Sequence, residues 1–360
     1  MAAPLKRRVD LPPPAVRVLL APLGALWCGV AAARVAAYRR GWKRRVRPPF
    51  PTLSIGNLSV GGTGKTPLLI HAVDWLTRHD AEVGVLSRGH GGDEGRMLEA
   101  RFPALRLAED PDRVRGLRSL LLGGRPDVLL LDDGFQHLRL ERDYDVVLLD
   151  ATRPFDRCLP AGRSRESPRA LRRATHVVLS RAELVGEAER RAVWERVHAI
   201  RAGLPRVAEM EGDVEPFLVR NLRTGEERPL ASLRGARAHL AAGVGHPESF
   251  RALCERLGVE VVGADWKPDH HPWSDADVAA WPRDVDVLVT EKDGVKLHGW
   301  APDHAWEVLV RWRFTRGADH FHGLLAELQL PSRAARIEPL WAAHAENGGG
   351  FGAGTGEGGR

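Results

Sequence analysis

The chain has 360 residues, of which 43% are hydrophobic, and this is enough for two α/β domains with cores of their own. Its three cysteines, Cys28, Cys158 and Cys254, are far apart in sequence and form no CxxC pair. Their spacing argues against a zinc site or a disulfide framework and favours a reducing compartment. Residues 1–50 carry eleven Lys or Arg against one Asp, so most of the basic character belongs to one end of a chain with net charge +6.

The basic N-terminal segment surrounds an uncharged stretch, residues 18–33, that predicts a membrane-associated helix. A bilayer span needs roughly 20 apolar residues, so we expect this helix to dip into the membrane while its basic neighbours contact anionic headgroups. Trp27, Tyr38 and Trp42 are the amphipathic rings typical of a headgroup boundary. The alternative is a buried amphipathic helix with a solvated charge run. Nucleic acid is not expected as a partner, because no aromatic and basic surface continues into the domains.

From residue 48 onward, short apolar runs alternate with helical stretches, which predicts an α/β fold with a mostly parallel sheet. We expect a membrane-associated helix with a basic collar (1–47), a first α/β domain (48–210), a smaller α/β/α domain (211–335) and a disordered Gly-rich tail (336–360). The expected strands are 52–56, 82–87, 127–131, 144–149, 176–180, 217–220, 238–242, 259–264, 285–290 and 307–311; the expected helices are 67–79, 110–122, 182–202, 247–257, 274–280 and 320–328.

The stretch SVGGTGKT follows the first expected strand and predicts a phosphate-binding loop. Its glycines let backbone N–H groups converge on phosphate oxygens at the start of a helix. Lys65 would reach the β- and γ-phosphates, and the Thr66 hydroxyl would bind Mg²⁺. The first domain is therefore predicted to be P-loop NTPase-like, although a Gly-rich turn without a ligand remains the alternative. The expected nucleotide-binding residues are Ser59, Val60, Gly61, Gly62, Thr63, Gly64, Lys65 and Thr66.

Acidic residues end the third expected strand, where a Walker-B carboxylate would stand. One of Asp132 and Asp133 should hold magnesium directly or through water, and the other should face a different partner, because adjacent side chains of an extended chain point to opposite sides. Strand-end acids that cap a turn are the alternative. After the next strand come Arg163, Arg165 and Glu166; their guanidinium groups either bind a phosphate or belong to a solvated charge cluster.

Two further stretches carry candidates for proton transfer. In LSRGHGGDEG, an acid such as Asp93 on a loop near the γ-phosphate can take the proton of an attacking hydroxyl, although a loop Asp is more often a turn residue. In WKPDHHPWS, His270 and His271 are adjacent, so their side chains diverge and joint metal ligation is not expected. We expect these histidines instead to support acid–base chemistry or to form a hydrogen bond with a sugar.

The order of these motifs resembles that of the tetraacyldisaccharide 4′-kinase family, the lipid A kinases of Gram-negative bacteria. The resemblance covers the chain from the N-terminal helix to about residue 330. It implies two α/β/α domains joined by a β-ribbon, with the nucleotide in the cleft between them. It also implies transfer of the γ-phosphate of ATP to the 4′-hydroxyl of a tetraacyldisaccharide 1-phosphate, giving lipid IVA, at the cytosolic face of the inner membrane. The motifs that carry it are GNLSVGGTGKTP, SRGHG, GDE, DDGFQH, LPAGRSRE, GVGHPESF, PDHHPWS and VTEKDGVKL.

The same resemblance implies roles for single residues. Asp93 is the expected base for the sugar hydroxyl, with support from His270 or His271 in the second domain. Asp133 is the alternative base, because the segment before Asp93 is shorter than in the family. No obligate protein partner is evident, and the alternative function is a membrane-associated P-loop ATPase that acts as a switch for a protein partner. The expected metal ligands are Thr66, Asp132, Asp133 and Glu166.

Overall fold

The computed structural model describes residues 13–89, 92–245 and 247–330. The predicted Gly-rich tail and His90 lie outside these ranges. The described chain begins with two consecutive helices, α1 (Pro14–Leu19) and α2 (Ala21–Arg39). Within the described ranges, α2 is the one helix long and apolar enough to cross a membrane, with a mean hydropathy of 1.2. Its alanine-rich second half favours helix, and its exposed large side chains are Leu23, Leu26, Trp27 and Val30.

A parallel α/β unit follows α2. Its strands contain continuous apolar runs, as expected where both faces of a parallel sheet are covered. All six residues of its first strand are buried. The elements in chain order are β1 (Thr52–Asn57), α3 (Lys65–Arg78), β2 (Val83–Ser87), α4 (Asp93–Arg101), β3 (Arg106–Glu109), α5 (Arg113–Leu122), β4 (Val128–Asp132), β5 (Tyr144–Asp150), β6 (His176–Ser180) and α6 (Glu187–Ile200).

The second half of the chain adds six more strands and four helices to the same architecture. Its helices are short, and the last of them packs back against α3 of the first unit. The elements in chain order are β7 (Glu209–Asn221), β8 (Glu227–Pro229), β9 (Arg237–Ala242), α7 (Pro247–Arg256), β10 (Glu260–Trp266), α8 (Asp275–Ala279), β11 (Asp286–Thr290), α9 (Glu291–Gly294), β12 (Ala305–Arg316) and α10 (Ala318–Leu328).

One sheet of twelve strands runs through both halves in the order β10-β9-β11-β12-β7-β6-β5-β1-β4-β2-β3, with β8 attached to β7. The long strands β7 and β12 pair antiparallel, and β7 also pairs parallel with β6. The other pairs, apart from β7 with β8, are parallel. The β7–β12 ribbon therefore joins the two halves across the segment in which the sequence predicts a domain boundary. The mostly parallel α/β architecture is confirmed.

The phosphate-loop strand and its helix are held by an apolar core. One face of α3 is buried, including Leu68, Leu69, Val73 and Leu76, and it packs against the sheet. Burying each such side chain contributes about 1.5–3 kcal/mol relative to leaving it exposed. Because the core fixes β1 and α3 rigidly, the loop between them is held at both ends.

Three expectations need correction. The predicted helix 182–202 is broken, because Gly186 adopts an extended conformation before α6 begins. Helix α4 and the short strand β3 were not predicted, since neither carries a clear apolar period. The spacing of the cysteines argues against a disulfide framework, but the Sγ atoms of Cys28 and Cys158 are bonded. Their separation of 130 residues is bridged by the packing of α2 against the segment after β5, which no sequence spacing reveals.

Candidate active site

The loop between β1 and α3 is shaped by glycine. Gly61 and Gly64 have φ angles of 107° and 89°, a region that other residues rarely adopt. Gly64 is also the N-cap of α3. A Cβ atom at Gly64 would lie 3.0 Å from Cζ3 of Trp312 on β12, so the loop is packed against the ribbon that joins the two halves. The positive end of α3 and the backbone N–H groups beside it are the kind of arrangement that can bind an anion.

The first residues of this loop are held by another part of the chain. The N–H of Val60 donates to the carbonyl oxygen of Arg163 over 2.9 Å, and Ser59 forms an isolated β-bridge with Ser164. Thr63 is buried. These residues shape the loop, and the predicted backbone donors for a phosphate are those that follow Val60.

Asp133, just after β4, lies between two cations. Its Oδ1 is 3.8 Å from Nζ of Lys65, and its Oδ2 accepts a hydrogen bond of 2.7 Å from Nη1 of Arg165. Burial acts to raise the pKa of Asp133, but the charges of Lys65 and Arg165 outweigh it and hold the pKa below its ordinary value. Asp133 also has a φ of 49°, an uncommon conformation for a residue with a side chain. This carboxylate is ionised and is aimed at the phosphate loop.

Asp132 has Glu94 as its main electrostatic neighbour, although the charge of Lys65 acts on both adjacent acids. It is 3% exposed at the end of β4. Burial, followed by the charge of the nearby Glu94, raises the pKa of Asp132 to about 8. Glu94 in turn accepts a hydrogen bond of 3.2 Å from Oγ1 of Thr66. A pair of acids and a hydroxyl therefore meet at the start of α3.

These groups fit a magnesium ion. The Oδ1 atoms of Asp132 and Asp133 are both buried without a hydrogen-bond partner, and a divalent cation would satisfy them. In the described ranges, no three acidic, histidine or cysteine side chains form a ready-made cation cage. Mg²⁺ is usually held by one or two carboxylates together with substrate phosphates, so the set around Thr66 suits an ion that arrives with a nucleotide.

A second cluster of charged side chains surrounds Asp93, the residue before Glu94. Asp93 is the first residue of α4 and is 2% exposed. Its Oδ2 lies 2.9 Å from Nδ1 of His270 and 2.9 Å from Nζ of Lys296. Nζ of Lys292 lies 3.9 Å from the same oxygen and 3.3 Å from Nε2 of His270. One buried carboxylate is therefore surrounded by an imidazole and two ammonium groups.

Packing between the two halves fixes this centre. Helix α4 packs against α9, and Arg101 near the end of α4 donates to Oε1 of Glu291 over 2.6 Å. Burial raises the pKa of Glu291, while the charge of Arg101 acts in the opposite direction. His270 has a φ of 63°, and its N–H donates to the carbonyl oxygen of Gly243 over 3.1 Å. The side chain of His270 is thus directed at Asp93 from an unusual but supported backbone conformation.

Two predicted site residues are not brought to these centres. Nε2 of His271 lies 3.1 Å from Oδ2 of Asp277, so this imidazole joins the start of α8 rather than Asp93. Both carboxylate oxygens of Glu166 accept hydrogen bonds from Arg173, at 2.8 and 2.9 Å. Glu166 therefore serves a buried ion pair, and the geometry does not join it to the predicted magnesium ligands.

The structure adds two side chains that the prediction of the site did not include. Glu94 lies beside Thr66 and Asp132, and Lys296 lies against Asp93. The adjacent acids of GDE were a signal for Glu94, because neighbouring residues at the start of a helix face different directions. Lys296 lies in the turn that follows α9, four residues after Lys292, and no local pattern in the sequence marks it as a partner of Asp93.

A loop suited to nucleotide phosphates lies in the first half, and a buried carboxylate of the same half is paired with a histidine of the second half. These are the features of a P-loop phosphotransferase. A family model described as LpxK, tetraacyldisaccharide-1-P 4′-kinase, matches residues 16–92 and 90–329. The chain belongs to this family. The fold class and the family predicted from the sequence are both confirmed.

Named relatives agree with this assignment. The tetraacyldisaccharide 4′-kinase of Pseudomonas entomophila (strain L48) is 34% identical over 325 residues, which cover 81% of this chain and 87% of the relative. The protein of the same name from Anaeromyxobacter sp. (strain K) is 37% identical over 327 residues, 80% of this chain and 84% of the relative. The crystal structure of the "apo" form of LpxK from Aquifex aeolicus in complex with ATP superposes with a TM-score of 0.73 at 27% identity, covering 88% of this chain and all of that chain.

Proposed function

We propose that this chain transfers the γ-phosphate of ATP to the 4′-hydroxyl of a tetraacyldisaccharide 1-phosphate and so forms lipid IVA in lipid A biosynthesis. The observation that carries this proposal is the placement of two consecutive acids. Glu94 faces the Thr66 hydroxyl of the phosphate loop, and Asp93 faces His270 of the second half. An acceptor hydroxyl held at Asp93 is therefore next to the phosphate that it attacks.

In this reaction Asp93 accepts the proton of the sugar hydroxyl while the 4′-oxygen of the sugar bonds to the γ-phosphorus. The bond between the γ-phosphorus and the β,γ-bridging oxygen breaks at the same time. His270 orients Asp93 through its Nδ1 atom. Lys296 donates to the same carboxylate and fixes it against rotation. A positioned base of this kind contributes about 10²- to 10⁴-fold to the rate.

The phosphate groups are held by the loop and its neighbours. Lys65 and the backbone donors after Val60 bind the β- and γ-phosphates, and ADP leaves with its charge stabilised by these groups. Thr66, Asp132 and Asp133 would hold Mg²⁺, with Glu94 beside them. When bound, the ion neutralises charge on the phosphate oxygens. Asp133 keeps Lys65 directed at the loop through the ion pair described above.

The acceptor carries acyl chains, so the enzyme must work at a lipid surface. Helix α2 has 19 residues, about 28 Å of helix at 1.5 Å per residue, against roughly 30 Å of bilayer hydrocarbon. Its apolar side chains are exposed, and it ends in the basic collar of residues 39–47. These features support attachment to the cytoplasmic face of the inner membrane, with basic side chains on anionic headgroups. No protein partner is needed for this arrangement.

The proposal is tested by measuring ADP release from ATP and Mg²⁺ in detergent, with and without a tetraacyldisaccharide 1-phosphate. We expect release to rise strongly with the acceptor and to saturate. The same lipid without a free 4′-hydroxyl is the control and should give no rise. Hydrolysis that proceeds equally well without the acceptor would instead identify a switch ATPase with water as the acceptor.

A further inference from the structure

A single segment, residues 156–165, contacts the N-terminal helices on one side and the phosphate loop on the other. On the side of the helices, Arg17 of α1 donates to Oδ1 of Asp156 over 2.8 Å and to the carbonyl oxygen of Ala161 over 3.0 Å. Nε1 of Trp27 on α2 donates to the carbonyl oxygen of Arg165 over 2.9 Å. These contacts seat α1 and α2 on the segment that follows β5.

Besides the Cys28–Cys158 pair, α2 approaches this segment closely at a glycine. Gly24 is the buried residue of α2. A Cβ atom there would lie 2.9 Å from the carbonyl oxygen of Cys158 and 3.2 Å from Cβ of Ala161. A side chain at this position therefore forces the helix and the segment apart. Gly29 lies one and a half turns further along the same helix, and within the described ranges no atom outside its own helix comes within 4 Å of the equivalent position.

The other side of residues 156–165 holds the phosphate loop. The N–H of Arg165 donates to the carbonyl oxygen of Leu58 over 2.7 Å, and the carbonyl oxygen of Arg163 accepts from the N–H of Val60. The Arg165 guanidinium holds Asp133, and Nη2 of Arg163 lies 3.0 Å from the Cβ position of Gly61. Two backbone bonds and two guanidinium groups thus set the shape of the loop from this segment.

The segment is stiff enough to transmit a displacement. Within it, Oγ of Ser164 donates to the carbonyl oxygen of Asp156 over 3.0 Å, and the N–H of Arg163 donates to Oδ2 of Asp156 over 3.1 Å. Two further backbone bonds link Ser164 to Arg157 and Leu159. Close-packed, internally bonded segments move as units rather than absorbing strain locally.

We propose that the seating of α2 on residues 156–165 positions Arg163 and Arg165 at the phosphate loop, so that the membrane helix is a positioning element of the kinase as well as its anchor. This inference rests on the proposed function. A helix that acts only as an anchor would tolerate any change that preserves its apolar surface. A positioning helix is sensitive at Gly24 and Trp27, where it touches the segment, and insensitive at Gly29.

Gly24→Ala and Gly29→Ala form a matched pair for the test, because both add one methyl group to α2 and both raise its helix propensity. We would measure kcat, the KM for ATP, the KM for the lipid acceptor and flotation with vesicles containing phosphatidylglycerol, with the Cys28–Cys158 pair in the same redox state in every variant. Gly24→Ala should lower kcat about ten- to a hundredfold, since a displacement near 1 Å at a reacting centre can cost about 10²-fold. Its acceptor KM and its flotation should match those of Gly29→Ala, which should behave as wild type.

A second variant keeps the test decisive if Gly24→Ala disturbs the fold itself. Trp27→Phe keeps an aromatic ring for the membrane but removes the N–H that donates to Arg165, and it should lower kcat in the same way with an unchanged Tm. Equal kcat values for Gly24→Ala, Trp27→Phe and Gly29→Ala would overturn the inference, as would a loss of kcat that merely follows a loss of vesicle binding.

Binding of a fluorescent ATP analogue without acceptor separates this inference from the proposed function. We expect Gly24→Ala to weaken that binding about threefold relative to Gly29→Ala, whatever the acceptor is. If the wild type fails to phosphorylate the lipid but this difference in affinity is present, the proposed function fails and the positioning role stands. If transfer occurs and neither affinity nor kcat differs between the pair, only the positioning role fails.

Discussion

Nδ1 of His270 lies 2.9 Å from Oδ2 of Asp93, although 177 residues separate the two in the chain. Asp93 begins α4 in the first half, and His270 precedes α8 in the second half. The pair exists only when both halves of the sheet are assembled around the β7–β12 ribbon. The structure therefore places the loop between β1 and α3 in one half, together with a carboxylate whose histidine partner comes from the other half.

Replacing the base should affect turnover far more than nucleotide binding. We expect Asp93→Asn to lower kcat on the order of 10²- to 10⁴-fold, because the amide cannot accept the proton of the hydroxyl. The affinity for MgATP, measured by calorimetry, should change little, since Asp93 faces His270 and Lys296 rather than the phosphate loop. A variant nearly as active as wild type would place the base elsewhere, with Asp133 the next candidate.

The two adjacent histidines provide a matched comparison. His270→Gln removes the imidazole that orients Asp93, and we expect kcat to fall about tenfold or more. His271→Gln alters a contact with Asp277 at the start of α8, so its kcat should stay close to that of wild type even if its Tm falls. Steady-state rates and thermal melts of both variants test this prediction. Equal losses of kcat would contradict the assignment of His270 as the orienting residue.

Asp132 makes the stability of the magnesium-free protein depend on pH. Its pKa is about 8 in the fold against an ordinary value of 3.8, so the folded state favours the protonated carboxyl. The stability that this gives is complete below about pH 4 and is lost as the pH rises through about 8. Asp132→Asn mimics the protonated group, so its Tm should match that of wild type near pH 4 and exceed it by several degrees at pH 8. Melting curves that stay parallel across this range would show that Asp132 is not desolvated.

Gly64 is expected to be intolerant of a side chain. Its φ of 89° and the 3.0 Å approach of Trp312 mean that Gly64→Ala strains the loop and pushes on β12. We expect a cost of about 1–2 kcal/mol and a Tm lower by a few degrees. Gly62→Ala is the control for stability, because in the part of the chain that the structure describes only its chain neighbours come within 4 Å of its Cβ position. Equal melting temperatures for the two variants would contradict the packing of the loop against β12.

The phosphate loop was predictable from the sequence because its signals are local. A buried strand, a run of glycines and the start of a helix follow one another within 27 residues, β1 to the end of α3. The acids at the end of β4 were predictable for the same reason, although the φ of 49° at Asp133 shows that this residue has already left the extended strand. The predicted boundaries of these strands agree with the structure to within one or two residues.

The contacts between distant parts of the chain were not predictable from the residues alone. The expectation that a histidine of the second half supports Asp93 came from the family resemblance. Nothing in the spacing distinguishes His270 from His271. The pairing of Glu166 with Arg173 could not be seen in the sequence either. A Glu that follows two arginines in a motif suited to phosphate binding resembles a site residue. Strand β3 has four residues without a fully apolar run, so only its neighbours in the sheet define it.

The most direct test of the account is the identity of the phosphorylated product. The purified chain is incubated with γ-labelled ATP, Mg²⁺ and a tetraacyldisaccharide 1-phosphate, and the lipid is analysed by mass spectrometry and ³¹P NMR, with Lys65→Ala as the control. The account predicts one added phosphate, on the 4′-oxygen, and none above background with Lys65→Ala. Label found only in inorganic phosphate, with the lipid unchanged, would contradict it.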